Sequence, residues 1–192
     1  MDRDVTVVIP AHPARLTNGM LNRAVTSVWA QTAPPAALSV AVDLTGAGAA
    51  DTRARAMKPV QTTWIRFLDS DDELLPQDLE RLLACAEQTG ADFVFSWFEA
   101  VGGPDPLGHF GLPFDPLHPH HTTMSVLVRT KIAKKVGFTP AAPGDPFGNE
   151  DWRFILGVTQ LTHKMVHLAE RTWRYHIHGA NTSGMPHQGD AR

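Results

Sequence analysis

The sequence has one cysteine and lacks any apolar run long enough to cross a membrane. Cys85 stands alone among 192 residues, so no disulfide can form within the chain, and this composition is compatible with a reducing compartment. A spanning helix needs about 18 or more apolar residues in succession. Residues 1–4 lead directly into a strand-like run, so we expect neither a signal peptide nor a transmembrane segment. These absences predict a cytoplasmic protein.

The chain also lacks an excess of basic charge. It carries 17 Lys and Arg against 20 Asp and Glu, for a formal net charge of −3. No global field therefore attracts nucleic acid or an anionic membrane, and only the segment Thr130–Lys135 forms a local basic patch. The segment Gly46–Gly48 lacks the third glycine of a dinucleotide-binding fingerprint. Neither dinucleotide binding nor nucleic-acid binding is favoured.

The composition that remains is typical of one globular domain. Hydrophobic residues make up 43% and charged residues 19% of the chain, which is enough apolar material for a sizeable core. We expect a single domain over 1–192. Its polar end, residues 179–192, is expected to fray as a flexible tail.

Short apolar runs alternate with helical stripes in the first half. Strands are predicted over Val5–Pro10, Leu38–Asp43, Trp64–Leu68 and Asp92–Phe98. Helices are predicted over Leu16–Thr32, Ala49–Met57 and Pro76–Thr89. Such alternation indicates an α/β fold with a central, mostly parallel sheet flanked by helices, and a ligand site at the carboxyl ends of the strands.

The second half begins with a long segment, residues 102–121, that is dense in Gly, Pro and His. A loop of this length is either a mobile lid or acceptor loop, or an ordinary surface excursion. Further elements are predicted as a strand Thr123–Val128, a helix Thr130–Val136, a helix from Asn149 to about Leu161, and a small C-terminal β-hairpin with arms Lys164–Leu168 and Arg171–His178.

Three carboxylates follow the third strand within four residues: Asp69, Asp71 and Asp72. Packed carboxylates repel one another and lose hydration, so a cation is expected to hold them. Two acids separated by one residue suit oxygen coordination of Mg²⁺ or Mn²⁺. Alternatively, Asp72 and Glu73 are first-turn acids of the next helix.

A calcium-binding loop is the second alternative, because an acid, Glu80, stands twelfth from Asp69. It does not fit, since Leu74 occupies the position that requires glycine and Pro76 interrupts the loop.

Several short motifs follow one another in an order that covers nearly the whole chain. They are Val8-Ile9-Pro10, Ser27-Val28-Trp29-Ala30-Gln31-Thr32, Asp43, Arg53, Phe67-Leu68-Asp69-Ser70-Asp71-Asp72, Glu150-Asp151, His178 and Ser183. In this order and spacing the chain resembles the family 2 glycosyltransferases, which have the GT-A fold. The resemblance implies transfer of a sugar from a nucleoside-diphosphate sugar, typically UDP-linked, with Mn²⁺ or Mg²⁺ as cofactor. It implies that residues 1–100 bind the nucleotide sugar and residues 101–178 form the acceptor and catalytic half.

The resemblance also implies a role for individual residues on the donor side. Pro10 and Ala11 would lie beside the nucleotide, Asp43 would receive the base, and Arg53 would contact the nucleotide region. Ala54 stands where the family usually has asparagine. Three further residues would lie at the ribose, metal or diphosphate. Asp69 would approach the ribose or the metal, Asp71 would be the principal metal ligand, and His178 would coordinate the metal or contact the diphosphate.

Glu150 and Asp151 match the acidic catalytic motif of that family. Inverting transfer needs a base within reach of the acceptor hydroxyl, and Asp151 is assigned that role, with Glu150 orienting Asp151 or the acceptor. Acids at a helix start stabilised by the macrodipole are the alternative.

Paired histidines raise the possibility of zinc. His176 and His178 alternate on a predicted strand and so share a face. His118, His120 and His121 lie in the preceding loop, but no cysteine or suitably spaced fourth ligand completes a structural zinc site.

Two other functions compete with a glycosyltransferase. A nucleotidyltransferase normally needs a basic, glycine-rich loop after the first strand, whereas residues 11–15 read Ala-His-Pro-Ala-Arg. An inactive nucleotide-sugar-binding module is the other alternative. The acceptor stays open among a small molecule, a glycan, a protein and a modified nucleobase.

Overall fold

The structure, a computed structural model, describes residues 4–115, 117, 122–140 and 150–179. Its strands are β1 (Val5–Ala11), β2 (Ala37–Val42), β3 (Trp64–Phe67), β4 (Glu73–Leu74), β5 (Phe93–Val101), β6 (Val126–Arg129) and β7 (Met165–His176). Its helices are α1 (Ala14–Thr17), α2 (Met20–Trp29), α3 (Ala49–Met57), α4 (Asp78–Thr89), α5 (Thr130–Val136) and α6 (Glu150–Thr159).

One seven-stranded sheet organises these elements in the order β2-β1-β3-β6-β5-β7-β4. Strands β1, β2 and β3 pair in parallel, and β5 and β7 do so as well. Strands β6 and β4 pair with their neighbours in antiparallel fashion. Five strands therefore run in one direction, and their carboxyl ends meet at a single edge of the sheet.

The central strands β1 and β3 are buried on both faces because helices cover both faces of the sheet. Alternate residues of β1 divide accordingly: Val7 packs with α2 and α4, whereas Val8 packs with α3, α5 and α6. This arrangement buries β1 completely and explains its near-continuous run of β-branched residues. The predicted α/β class is confirmed.

Several predicted boundaries are confirmed and one helix is corrected. Helices α3 and α5 begin and end where the sequence predicts. The predicted helix Leu16–Thr32 is wrong, because it is divided into α1 and α2. Gly19 adopts φ 80° between them, a left-handed conformation that glycine tolerates and that ends regular helix.

The acidic segment after β3 leads into a strand. Glu73 and Leu74 pair with Arg174 and Trp173 of β7, so the alternative that placed Asp72 and Glu73 in the first turn of a helix is wrong. The following helix starts at Asp78, two residues later than predicted. The extended conformation of β4 results from its pairing with β7, and the local residue preferences do not predict it.

The predicted C-terminal arms lie almost entirely within one continuous strand, β7 (Met165–His176), which pairs with β5 and β4. Its register against β5 shifts on either side of Trp97. The tail beyond Gly179, the loop histidines at 118, 120 and 121, and residues 141–149 lie outside the described residues. Within the part that the structure describes, no helix is long and apolar enough to span a membrane.

The segment after β5 is fastened to the sheet at several points. Fully buried Trp97 donates its indole N–H to Asp105 Oδ2 at 2.7 Å. The Nδ1 of His167 lies 2.5 Å from the carbonyl oxygen of Leu112 and, facing an acceptor, is the donor. Phe114 packs edge-on against Phe95. These contacts favour a packed surface excursion over a mobile lid for residues 105–114.

Candidate active site

The candidate site lies at the carboxyl edge of the sheet, where three separate segments meet. The acidic loop, residues 69–72, follows β3. Helix α3 runs back from the same edge and carries Arg53, while α6 begins there with Glu150 and Asp151. Residues almost one hundred positions apart are thus brought into contact.

Arg53 joins these segments through its guanidinium group. Nη2 donates to Asp69 Oδ1 at 2.8 Å, and Nη1 donates to Glu150 Oε1 at 2.5 Å and lies 2.7 Å from Asp151 Oδ1. Arg53 is only 5% exposed. Burial alone would lower its pKa, but the three carboxylates outweigh burial and raise the pKa above its ordinary value, so the guanidinium stays charged. One cation thus faces three acids, and Arg53 connects the acidic loop to the Glu150–Asp151 pair.

Asp151 has the electrostatic properties of a base that works near neutral pH. Burial raises its pKa to about 7, Arg53 opposes this shift, and Asp69 and Glu150 add to it. Its Oδ1 is buried and has no hydrogen bond within the described residues, despite the ion-pair contact with Arg53. The side chain remains 25% exposed. A carboxylate with a pKa of about 7 can change its protonation state near neutral pH, as a general base must.

Asp71 has a different set of partners. Its Oδ2 accepts a hydrogen bond from Arg15 Nη2 at 2.9 Å and lies 3.1 Å from His178 Nε2. Its carbonyl oxygen accepts from Arg23 Nη2 at 2.5 Å. His176 instead contacts Glu73, at 3.3 Å. His178 is therefore the histidine that lies beside Asp71.

Asp72 holds the acidic loop to the end of β7. Its Oδ1 accepts the backbone N–H of His176 at 3.0 Å, and the residue is 2% exposed. Burial, together with Asp69 and Asp71, raises the pKa of Asp72 well above its ordinary value. The buried carboxyl group of Asp72 thus connects the acidic loop to β7 and is not exposed to a ligand.

The fit of a divalent cation can be judged from the donor atoms. Asp71 Oδ2 and His178 Nε2, 3.1 Å apart, are an oxygen and a nitrogen that can face one ion together. Asp69 is held by Arg53 instead. Among the described residues no three His, Cys, Asp or Glu side chains converge as a metal cluster. The two residues would fit a site in which the ion's other ligands would be water or a bound substrate.

The remaining predicted donor-site residues lie at the ends of β1 and β2. Pro10 and Ala11 are buried at the end of β1. Asp43 follows β2, and its carboxylate accepts the backbone N–H groups of Ala47 at 2.9 Å and Gly48 at 2.8 Å. The pKa of Asp43 is lowered, mainly by the hydrogen bond from Gly48. Burial opposes this shift, and the hydrogen bond from Ala47 adds to it. Asp43 thus shapes the turn that follows β2.

Sequence reasoning missed two arginines of the site, Arg15 and Arg23. Both precede β2, yet their partner Asp71 lies 56 and 48 positions later in the chain. The one signal in the sequence was that a basic residue, Arg15, follows β1 closely, because a ligand site was expected at the carboxyl ends of the strands.

Comparison with known proteins agrees with this architecture. Residues 42–139, just over half of the chain, match the family model described as glycosyl transferase family 2. No curated protein matches the chain.

Among solved structures, S. aureus TarS 1–349 in complex with UDP-GlcNAc superposes with a TM-score of 0.73 at 16% identity, over 93% of this chain and 60% of that one. The complex of the same protein with UDP gives 0.69 at 15% identity, over 91% and 60%. At this identity the likeness shows the fold, and the chain spans 60% of the length of these TarS structures.

Proposed function

The chain belongs to glycosyl transferase family 2, and on this premise we propose that it transfers a sugar from a nucleoside-diphosphate sugar, UDP-linked, to an acceptor hydroxyl. The proposal is supported most directly by Asp151, a carboxylate with a pKa of about 7 at the start of α6 and beside the acidic loop. TarS, which shares the fold, is known in complexes with UDP and UDP-GlcNAc.

Asp151 takes the acceptor proton in the proposed reaction. As the acceptor oxygen forms a bond to the anomeric carbon, the hydroxyl proton moves to the Asp151 carboxylate. The bond from the anomeric carbon to the diphosphate breaks, and its electron pair leaves with the nucleoside diphosphate. A single displacement of this kind inverts the anomeric centre. Arg53 and Glu150 hold Asp151 in position.

A divalent cation, Mn²⁺ or Mg²⁺, is proposed to bind Asp71 and His178 together with the donor. When bound, it neutralises charge that builds on the leaving diphosphate. Asp71 supplies the oxygen ligand and His178 the imidazole nitrogen. Asp69, which Arg53 holds through an ion pair, is proposed to contact the ribose or the metal.

The nucleotide is proposed to lie over the ends of β1 and β2. Pro10 and Ala11 form the floor, and Asp43, already fixed by two backbone N–H groups, presents its remaining lone pairs to a base N–H. A rigid acceptor favours selectivity for one base, because the wrong edge leaves a polar group unpaired.

Donor binding is tested by thermal unfolding with UDP, UDP-GlcNAc, GDP and ADP, each with Mn²⁺ and with chelator. We expect UDP compounds with Mn²⁺ to raise the Tm by roughly 5–10 °C at a hundredfold excess over Kd. The variant Asp71→Ala should lose the part that depends on metal. An equal response with chelator would overturn the metal assignment, and no response to any nucleotide would overturn the function.

Turnover separates an enzyme from a nucleotide-sugar-binding module. Release of UDP from a UDP-sugar, measured over a panel of acceptor alcohols, is expected to exceed the rate seen without protein. Binding without release for every acceptor and for water would favour the inactive module.

A further inference from the structure

Arg15 contacts the same oxygen of Asp71 that faces His178, the pair of atoms at which the metal ion is proposed to bind. Its Nη2 lies 2.9 Å from Asp71 Oδ2, and the two side chains are 12% and 17% exposed. The same oxygen lies 3.1 Å from His178 Nε2. Arg15 therefore acts as an internal counter-cation for Asp71.

The placement of Arg15 is defined by local structure. It lies in α1, immediately after the buried end of β1, and the turn before it is closed by the Arg15 N–H bonding to the His12 carbonyl at 2.9 Å. Arg23 holds the backbone carbonyl of Asp71 rather than its carboxylate. Asp71 thus keeps an arginine contact at its backbone, and Asp69 of the same loop keeps Arg53, if Arg15 moves away.

A metal ion and the Arg15 guanidinium cannot share Asp71 Oδ2 at low cost. Both are cations, and two like charges about 4 Å apart repel strongly in a partly buried site. Binding of a metal ion alone must therefore break the ion pair between Arg15 and Asp71 and leave the guanidinium without a counter-charge. The free protein is expected to bind metal weakly for this reason.

The donor would supply a new partner for Arg15. A guanidinium presents parallel N–H donors that match phosphate oxygens and form strong charge-assisted bonds. On the basis of the proposed function, we propose that Arg15 exchanges Asp71 for the diphosphate of the nucleotide sugar when the metal binds. The exchange makes Arg15 a diphosphate-binding residue and couples metal binding to donor binding.

The test measures the two affinities separately by calorimetry, with Mn²⁺ and UDP as the probes. In Arg15→Ala, we expect Mn²⁺ without nucleotide to bind several-fold more tightly than in the wild-type protein, because its competitor is gone. UDP at saturating Mn²⁺ should bind about tenfold more weakly, because charge-assisted bonds are lost. Opposite changes in the two affinities are the signature of exchange.

Two further variants serve as controls, one for the loss of any arginine and one for the loss of charge at position 15. Arg81→Ala removes an arginine of α4 that pairs with exposed Glu170, and it should change neither affinity. Arg15→Lys keeps the charge without the fork, so Mn²⁺ affinity should stay near the wild-type value while UDP affinity falls. Circular dichroism and thermal unfolding verify that each variant is folded.

The possible affinity changes distinguish an exchange of partners by Arg15 from a purely structural role. If Arg15→Ala leaves UDP affinity unchanged, or weakens Mn²⁺ and UDP alike, Arg15 is only a structural partner of Asp71 and the exchange is wrong. The wild-type arm tests the proposed function by itself, because a folded wild-type protein that binds no UDP with Mn²⁺ overturns the donor assignment whatever the variants do.

Discussion

At the carboxyl edge of the sheet, one buried guanidinium faces three carboxylates from two distant segments. Arg53 contacts Asp69, Glu150 and Asp151 at once, which leaves an excess of negative charge in a partly dry environment. Burial is the main reason that the pKa of Asp151 is raised to about 7; Arg53 opposes this shift, and Asp69 and Glu150 add to it. The same arrangement that orients Asp151 therefore also sets the pH at which it becomes a base.

This arrangement predicts the pH dependence of turnover. The proposed base is active only when deprotonated, and its pKa is about 7, so kcat/KM for UDP release should fall as pH drops below about 7 and level off above it. Asp151→Asn should lower kcat by about 10²–10⁴-fold while UDP affinity stays near the wild-type value.

The control for this prediction is Asp51→Asn, a change at an exposed acid of α3 that should leave the profile intact. A wild-type profile that is flat from pH 5 to 8, or normal turnover in Asp151→Asn, would show that another group takes the proton.

Residues of the candidate site differ in how far the sequence could reveal them. Asp69 and Asp71 are adjacent in sequence to a recognisable buried strand, and Glu150 and Asp151 form a pair at a helix start, so local pattern and family motif find them. Arg15 was not predicted as a partner of Asp71, because that contact joins residues 56 positions apart in the chain. No local pattern carries this information.

At the scale of elements, α5 and α6 approach each other at a position that only glycine allows. A Cβ at Gly157 would lie 2.5 Å from Val136 Cγ1. Gly157 stands in the interior of α6, where glycine is intrinsically about 1 kcal/mol less favourable than alanine. Close packing of the two helices explains why a poor helix former is accommodated there.

The variant Gly157→Ala should therefore destabilise the protein although alanine is the better helix former. Overpacking costs about 1–3 kcal/mol, and we expect a net loss in the free energy of unfolding measured in urea. Adding Val136→Ala removes the obstructing methyl group, so the double variant should be more stable than the sum of the two single changes. Additive effects would indicate that α5 and α6 do not meet at this point.

The elements that the sequence predicted well are those whose boundaries have a local cause. Helix α4 ends at Gly90, which adopts the left-handed conformation of a C-cap. The break at Gly19 was missed, because the apolar stripe of α2 continues the pattern that precedes it. Strand β4 was missed because it has only two residues, Glu73 and Leu74, whose extended conformation depends on pairing with β7.

Across the whole molecule, a buried polar network links elements from both halves of the chain. Arg66 of β3 donates to both carboxylate oxygens of Asp78, each at 2.8 Å, and both side chains are fully buried. Thr172 of β7 donates to Asp78 Oδ2 at 2.6 Å and lies 2.6 Å from Ser96 of β5. One carboxylate thus connects α4 with strands β3 and β7, and through Thr172 with β5.

A buried ion pair with these partners predicts a large effect from loss of one member. Asp78→Ala leaves Arg66 as an unpaired buried cation, so we expect a loss of about 3–5 kcal/mol in the free energy of unfolding. The matched control is Asp51→Ala, which breaks an exposed Arg–Asp pair on α3 and should cost less than about 1 kcal/mol. Urea unfolding at neutral pH measures both.

A further variant distinguishes stabilisation by the pair from the penalty of a stranded charge. Replacing both members, as Arg66→Met with Asp78→Leu, removes the buried charges together, and such replacements are often neutral or stabilising. Recovery toward wild-type stability in the double variant, with the single variant strongly destabilised, would show that the network mainly specifies how α4 and β7 join β3. A double variant as unstable as Asp78→Ala would show instead that the hydrogen bonds with Arg66 and Thr172 themselves hold the two halves together.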